Sequence, residues 1–492
     1  MTEFTKRFWG EVLIIAIVLI FFWQFLFKGL LPIPSDTIVG LYHPFLDLYA
    51  EISPAGVPFK NFLITDPVRQ IIPWKELSID LLSSFELPLW NPYEMAGKPH
   101  LANFQSGVFY PLNFLLLLKP FYMGWSIFII FQPLLAALFM FFYLKNLKLQ
   151  SLASLFGSIS FTFSGFSIAW LEWGNIVHTA LWLPLILLSI DKIVLSSKYK
   201  VLSIWGIIFI GSLICSFFAG HLQIFFYVYV LSIAYFIFRW LEHGRKIRLL
   251  LSYLILNTLF LILTAIQWIP TLQFINLSAR FTDQNPLTSE GWFIPWQHLV
   301  QFIVPDFFGN PATLNYWGVW NYAEFIGYIG AVGLFLAFCS ILLIRKGKEV
   351  IFFTGAIIVS LLFAIPTFFA KIPFDLSLPF LSSAQPSRLI LIISFSLSVL
   401  SAIGFNYLIE DKRVNRRAII GIGILLLVLF LASWLIAFEK FDLKIEAENL
   451  LVARRNLIKR RSGSCGFLTA WILPLMSGRF SNHLWKLREN QK

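Results

Sequence analysis

Residues 121–144, "FYMGWSIFIIFQPLLAALFMFFYL", form an apolar run without a single charged side chain. A helix needs about 20 such residues to cross roughly 30 Å of hydrocarbon. Inside lipid, a helix satisfies the hydrogen-bonding groups of its own backbone. This run therefore predicts a membrane-spanning helix.

Comparable apolar runs recur on both sides of this one, and together they predict an all-α polytopic membrane protein with about 11 transmembrane helices. Of the 492 residues, 58% are hydrophobic and only 13% are charged, whereas about a quarter of the residues of a soluble domain are charged. The other predicted spans are 9–31, 151–170, 176–194, 201–219, 222–240, 249–269, 322–344, 350–369, 387–408 and 418–438.

Charge and cysteine content exclude two other classes of function. The net charge of +12 comes largely from Lys and Arg in short loops between spans, which is the usual bias of cytoplasmic loops, so nucleic acid is not an expected partner. Cys215 and Cys339 lie inside apolar runs and Cys465 lies near the end of the chain. Their spacing fits neither a metal site nor a disulfide framework.

The same bias predicts the orientation of the chain. The first run follows Lys6 and Arg7 and is too long for a signal-peptide core, so it predicts a retained anchor with a cytoplasmic N-terminus. The outer face then carries three long segments, 32–120, 270–321 and 370–386. Basic residues occupy the alternate loops: Lys145 and Lys148; Lys192, Lys198 and Lys200; Arg239, Arg245, Lys246 and Arg248; Arg345, Lys346 and Lys348; Lys412, Arg413, Arg416 and Arg417.

Two regions follow from this reading. Residues 1–438 are predicted to form the transmembrane domain, with the first outer loop, 32–120, carrying the active site. Residues 439–492 form a basic tail, whose charge conflicts with the outer location that the span count predicts. Three explanations of this conflict are open: one span is miscounted, the tail lies on anionic lipid, or the chain is a truncated or altered version of something longer.

The end of the first outer loop, "LPLWNPYEMAGKPHLANFQSGVFYPLN" (87–113), is rich in aromatic and amide side chains. Trp90 suits the level of the lipid headgroups. Asn91, Asn103 and Gln105 can hydrogen-bond hydroxyl groups without the desolvation penalty of a charge. The composition indicates a site that binds a sugar or a lipid headgroup. The alternative is that these residues only attach an irregular loop to the bilayer.

Two acids lie earlier in the same loop. Asp36 follows the first span, and Asp66 precedes Arg69 and Gln70. A carboxylate held in a semi-enclosed polar site is a candidate general base. The alternative role of each acid is to cap a short helix, with Pro67 as the first helical residue after Asp66.

The order of several motifs resembles the bacterial YfhO-like membrane proteins of the GT-C glycosyltransferase superfamily. The motifs are "SDTIVGLYHPF", "DPVRQIIPW", the stretch 87–113, "FAGHLQIFFY", "VPDFFGNP", "EFIGYIG" and "SSAQPSRLILI". The resemblance implies a GT-C-like fold with a large first extracytoplasmic loop in the bacterial plasma membrane. It also implies transfer of a sugar from a polyprenyl-phosphate donor to an envelope glycan, lipid or protein. Asp36 matches the position of that superfamily's catalytic base.

With this reading, Arg388 at the outer end of the tenth span is the candidate ligand of the donor's phosphate, because guanidinium binds phosphate bidentately. The alternative is an interface arginine that extends toward the headgroups. His221, Gln223 and Glu324 are candidate substrate-binding residues at outer span ends, with Glu172, His178 and Asp306 as secondary ones. A divalent cation is a further candidate ligand of such a set, although no spacing is diagnostic.

Two other functions remain open from the sequence. A lipid-linked sugar flippase or transporter would need a polar path, yet the ionisable candidates gather at outer span ends rather than near the midplane. A non-catalytic scaffold that presents lipid carriers would keep the aromatic loop but would not need Asp36. Replacing Asp36 by asparagine distinguishes these functions from sugar transfer.

Overall fold

The chain is helical almost throughout the part that its computed structural model describes. Helix accounts for 74% of the structure, and the strands of the described residues are two short segments, Trp90–Asn91 and Lys98–Pro99, paired antiparallel. The all-α prediction is confirmed. The described residues are 8–52, 64–196, 201–277, 292–313, 315–319, 321–344, 347–378, 381–382, 384–410 and 416–439, so the predicted tail from 440 onward lies outside them.

The α-helices are numbered here in chain order. They are α1 Trp9–Phe21, α2 Trp23–Lys28, α3 Asp36–Leu41, α4 Phe45–Ile52, α5 Ile72–Ser83, α6 Phe121–Asn146, α7 Ser151–Thr162, α8 Gly165–Ala169, α9 Ile176–Ala180, α10 Leu183–Leu195, α11 Ile204–Phe218, α12 Leu222–Glu242, α13 Ile247–Asn276, α14 Tyr322–Phe325, α15 Ala331–Leu343, α16 Lys348–Ala364, α17 Phe368–Asp375, α18 Ile390–Glu410 and α19 Arg416–Glu439.

Five helical segments are long and apolar enough to cross a membrane, and a sixth is added if the bent pair α15 and α16 counts as one span. The five are Phe121–Asn146, Ile176–Leu195, Leu222–Glu242, Ile247–Asn276 and Pro386–Glu410. Helices α1, α7 and α11 are apolar but shorter than the roughly 20 residues that a full crossing requires. Helix lies at each of the eleven predicted places, but the count of eleven spans stays a prediction.

Two predicted runs are interrupted for identifiable reasons. The run 151–170 breaks after Thr162, because Ser164 caps a new helix through its side chain, which accepts a hydrogen bond from the Ser167 backbone N–H at 3.3 Å. The Gly165 N–H bonds the Tyr328 carbonyl oxygen at 2.7 Å. The run 322–344 divides into α14 and α15. At the first break, polar capping by Ser164 starts a new helix where hydrophobicity alone would continue the old one.

Helix α18 occupies the centre of the bundle. Its span is 83% buried, and it packs against α7, α15 and α16. Small side chains permit this close packing, as is usual between helices in membranes. A Cβ atom built on Gly404 would lie 2.0 Å from the Leu336 carbonyl oxygen of α15, so this crossing requires glycine.

One end of the bundle carries a buried ion-pair network among residues predicted to face the cytoplasm. The Arg239 Nε atom lies 2.8 Å from Asp191 Oδ1, and its Nη1 atom lies 2.8 Å from Glu242 and 3.2 Å from Glu349. These contacts join α10, α12 and α16. Beside them is a cavity of about 760 Å³ lined by residues that include His243, Lys246 and Arg248.

Candidate functional site

A buried lysine connects two parts of the first outer loop. Lys75, in α5, is fully buried, and its Nζ atom donates to the Gly107 carbonyl oxygen at 3.2 Å and to Asn113 Oδ1 at 3.0 Å. The Asn113 amide also donates to the Gly107 oxygen, at 2.8 Å. Burial lowers the pKa of Lys75 to about 7, because a charged amine is poorly solvated there. Nothing in the sequence singles out this residue.

The stretch 87–113 uses much of its polar chemistry internally. Asn91 is buried, accepts from the Tyr93 N–H at 2.9 Å and donates to Glu94 at 3.4 Å. The Trp74 indole N–H donates to the same carboxylate at 2.9 Å, and Lys98 forms an ion pair with it. These bonds match the alternative in which the amides stabilise an irregular loop.

The other predicted residues of this stretch are more accessible. Trp90 is 53% exposed, so its ring is available to a lipid or a sugar. Asn103 and Gln105 are partly exposed, and the Asn103 side chain accepts a hydrogen bond from the Gln105 N–H at 3.3 Å. Sugar binding by these residues stays a prediction.

The two predicted acids stand at helix starts. Asp36 is the first residue of α3 and is partly exposed, and Ser35 before it makes no capping bond with its side chain. Asp66 is exposed and precedes the π-helical turn Pro67–Ile71, also without a side-chain capping bond. Both positions match the helix-start alternative, but neither Ser35 nor Asp66 supplies the capping hydrogen bond.

Arg69 and Gln70 lie on the turn that follows Asp66. Gln70 is partly exposed and Arg69 is exposed. The Arg69 guanidinium carbon lies 5.6 Å from the centre of the Tyr42 ring, within the range of a cation–π contact. This contact connects the turn to the segment that follows α3.

Glu172 lies within electrostatic range of Asp36, although two predicted spans, 121–144 and 151–170, separate the two residues in the chain. It occupies the 3₁₀ turn Leu171–Trp173, which packs against the turn Pro67–Ile71. Its surface is partly accessible, although protein surrounds the carboxyl group. Burial, and to a smaller extent the negative charge of Asp36, together raise the pKa of Glu172 to about 7. The sequence placed Glu172 only among secondary candidates.

Two contacts hold this turn in place. The Gln132 side chain of α6 donates to the Leu171 carbonyl oxygen at 2.9 Å. Gly174 has a left-handed backbone with φ 69°, and a Cβ atom there would lie 2.6 Å from the Trp125 ring. Only glycine combines this conformation with such close packing.

Arg388 is the centre of a second group, formed from three distant segments of the chain. Its Nε and Nη2 atoms donate to Glu324 Oε1 at 3.1 and 2.9 Å. Its Nη1 atom lies 3.2 Å from Gln223 Oε1 and 3.4 Å from His221 Nε2. The structure thus brings together four predicted binding residues, His221, Gln223, Glu324 and Arg388. Glu324 neutralises the charge of Arg388, the predicted ligand of the phosphate.

Trp170 connects the Arg388 group to the turn that carries Glu172. The Arg388 guanidinium carbon lies 5.5 Å from the centre of the Trp170 ring, and Trp170 contacts Trp173 edge-on with centroids 4.6 Å apart. Glu172 lies between these two tryptophans in the sequence. The segment 170–175 therefore contacts Arg388 through Trp170 and interacts electrostatically with Asp36 through Glu172. The described residues contain no group of three or more His, Cys, Asp or Glu side chains placed to hold a metal ion.

These features define a helical membrane protein with an acidic and aromatic site where its first long loop meets the ends of its helices. The chain belongs to a family described as bacterial membrane protein YfhO, whose model matches residues 102–486. Glu172, His221, Glu324 and Arg388 lie inside the matched range, and Asp36 precedes it. No curated protein and no solved structure matches the chain.

Proposed function

We propose that this protein is a membrane glycosyltransferase of the GT-C type. It transfers a sugar from a polyprenyl-phosphate carrier to an envelope glycan, lipid or protein on the outer face of the bacterial plasma membrane. The observation that carries the proposal is the segment 170–175, whose Glu172 interacts electrostatically with Asp36 and whose Trp170 contacts Arg388.

Asp36 is the proposed general base. It accepts the proton of the acceptor hydroxyl as the hydroxyl oxygen forms a bond to the anomeric carbon. The bond from that carbon to the phosphate oxygen breaks, and polyprenyl phosphate leaves with the electron pair. A single displacement of this kind inverts the anomeric centre.

Arg388 is the proposed site of the leaving phosphate. Charge-assisted bonds from a fixed guanidinium stabilise charge that develops in the transition state. Glu324 holds the Nε edge of Arg388, and the Nη1 atom points to His221 and Gln223. A phosphate that approaches Nη1 would meet a preoriented donor, with Gln223 as a second hydrogen-bonding group.

The test measures release of polyprenyl phosphate by the purified protein in nanodiscs, with a panel of polyprenyl-phosphate sugars and candidate acceptors. Asp36→Asn should lower the rate by about 100-fold or more, the usual contribution of a general base. Asp47→Asn is the matched control, because Asp47 is an exposed acid of the same loop that pairs with His43. Equal rates in both variants would contradict the role of Asp36, and lipid movement without release would favour a flippase.

A further inference from the structure

The hairpin of the first outer loop, residues 85–99, exposes large apolar side chains. Phe85 is 100% exposed, Tyr93 is 83% exposed and Met95 is 93% exposed, and Leu87 and Leu89 between them are exposed as well. Five such side chains within eleven residues are typical of a surface that contacts a membrane or another protein. These five side chains form the apolar surface of the hairpin.

The turn of the hairpin presents this surface in a fixed shape. Glu94 lies between Tyr93 and Met95, and its carboxylate accepts a hydrogen bond from the indole N–H of the buried Trp74 at 2.9 Å. The same carboxylate forms an ion pair with Lys98. The polar side chain of the turn is therefore bound to the protein, while its two apolar neighbours are exposed. This arrangement is the reverse of the one expected for a turn in water.

The segment after the hairpin is bonded to a membrane-spanning helix below the end of that helix. In α13, the Gln267 side chain donates to the Leu101 carbonyl oxygen at 2.6 Å, and the Thr271 hydroxyl donates to the Ala102 carbonyl oxygen at 3.1 Å. Both donors are buried. They lie nine and five residues before Asn276, the last residue of the helix. At about 1.5 Å per residue, these positions are about 13 Å and about 8 Å below the helix end.

The length of α13 relates these positions to the bilayer. Its 30 residues correspond to about 45 Å. The hydrocarbon layer is about 30 Å thick, so a helix that crosses it symmetrically extends about 8 Å beyond each side. Thr271 then lies at the edge of the hydrocarbon and Gln267 lies inside it. The exposed side chains of Ile266, Ile269 and Leu272 at the same level are apolar, as lipid contact requires.

Two further contacts place the hairpin itself at this level. The His100 N–H donates to the Leu89 carbonyl oxygen at 2.8 Å, so Leu89 adjoins the residues that α13 holds. Lys119 Nζ, just before α6 begins, lies 3.8 Å from Asp80 Oδ1, five residues before Phe85. Exposed apolar side chains continue from there into the first turn of α6, at Phe114, Leu117, Leu118, Tyr122 and Met123.

We propose that the hairpin inserts its apolar surface into the bilayer, at the boundary between lipid headgroups and acyl chains. Its partner is the surrounding lipid, because the hairpin lies at the level where α6 and α13 expose apolar side chains. The phenol of Tyr93 and the exposed carboxylate of Glu86 reach the headgroups, and the remaining apolar side chains contact the acyl chains. This anchor does not depend on sugar transfer and goes beyond the proposed function.

The test uses spin labels on single cysteines of the full-length protein in nanodiscs, after its native cysteines are replaced by alanine. Phe85→Cys and Met95→Cys report on the apolar surface. Ile269→Cys is the reference for a lipid-facing position, and Asp47→Cys, at an exposed acid of the same loop, is the reference for water. Labels on the apolar surface should collide more often with oxygen, which dissolves in lipid, than with a water-soluble nickel chelate, as at Ile269→Cys. Asp47→Cys should show the reverse.

Two results would overturn the proposal. More frequent collision with the nickel chelate at Phe85→Cys or Met95→Cys would show that the surface faces water. Rare collision with both reagents would show that protein covers it, either a second copy or another part of this chain. Thermal unfolding of each labelled variant, compared with the unlabelled protein, ensures that a folded protein is measured.

Discussion

Lys75→Met tests how the first outer loop is held, and its effect on stability should depend on pH. Lys75 is fully buried, and both of its hydrogen-bond acceptors are neutral oxygen atoms. Its pKa is lowered from 10.5 to about 7, whereas the unfolded chain keeps the ordinary value. Between these two pH values the unfolded state binds the extra proton, so the free energy of unfolding rises with pH across that window.

The size of this effect follows from the same values. The difference between 10.5 and about 7 is about 3.5, and at about 1.4 kcal/mol for each pKa unit it gives a ceiling of about 5 kcal/mol. The penalty for burying the charged amine is fully present below about pH 7. It is relieved as the pH rises toward 10.5. Methionine carries no charge and removes this contribution at every pH.

Thermal unfolding of the wild type and of Lys75→Met, followed from about pH 6 to about pH 10, measures the prediction. At acidic pH the variant should match or exceed the wild type. At alkaline pH it should be less stable, because Asn113 Oδ1 loses its donor at a cost of about 1–3 kcal/mol. Lys119→Met is the control, since that lysine is 67% exposed. A stability difference between Lys75→Met and the wild type that is the same at every pH would show that the buried charge of Lys75 does not affect stability.

Three further substitutions test the remaining contacts. Arg388→Lys should raise the KM for the donor, because one ammonium group cannot both bond Glu324 as the guanidinium does and donate to phosphate from a separate nitrogen. Steady-state kinetics measures this, and an unchanged KM would contradict it. Gly404→Ala should destabilise the protein by about 1–3 kcal/mol in thermal unfolding, whereas Gly355→Ala, with open space around its Cβ position, should not. Asp191→Ala should destabilise it by about 1–3 kcal/mol, because the buried Arg239 Nε loses its partner while Nη1 keeps Glu242 and Glu349, and equal unfolding temperatures would exclude this.

The sequence predicts the helices well where hydrophobicity alone decides them. The run 121–144 corresponds to α6, Phe121–Asn146, because an apolar segment of that length has few alternatives in lipid. The run 151–170 is less well predicted, since Ser164 starts a new helix through a local bond. Such capping bonds leave only a weak signal in hydrophobic periodicity.

The site is predicted in its parts but not in its arrangement. Arg388 and Glu324 were both named from their positions at span ends, yet nothing in the sequence indicates that they pair at 2.9 Å. The electrostatic interaction of Glu172 with Asp36 likewise depends on how distant parts of the chain pack together. Lys75 gave no signal, because a lysine in a loop helix is usually solvated.

The central claim is that Asp36, the segment 170–175 and the Arg388 group form one donor site. An electron cryomicroscopy structure of the protein in nanodiscs with a bound polyprenyl-phosphate hexose tests it most directly. We expect phosphate density at the Nη1 edge of Arg388 and sugar density over segment 170–175, with its anomeric carbon facing Asp36. Donor density elsewhere, such as in the cavity beside His243 and Arg248, would contradict it.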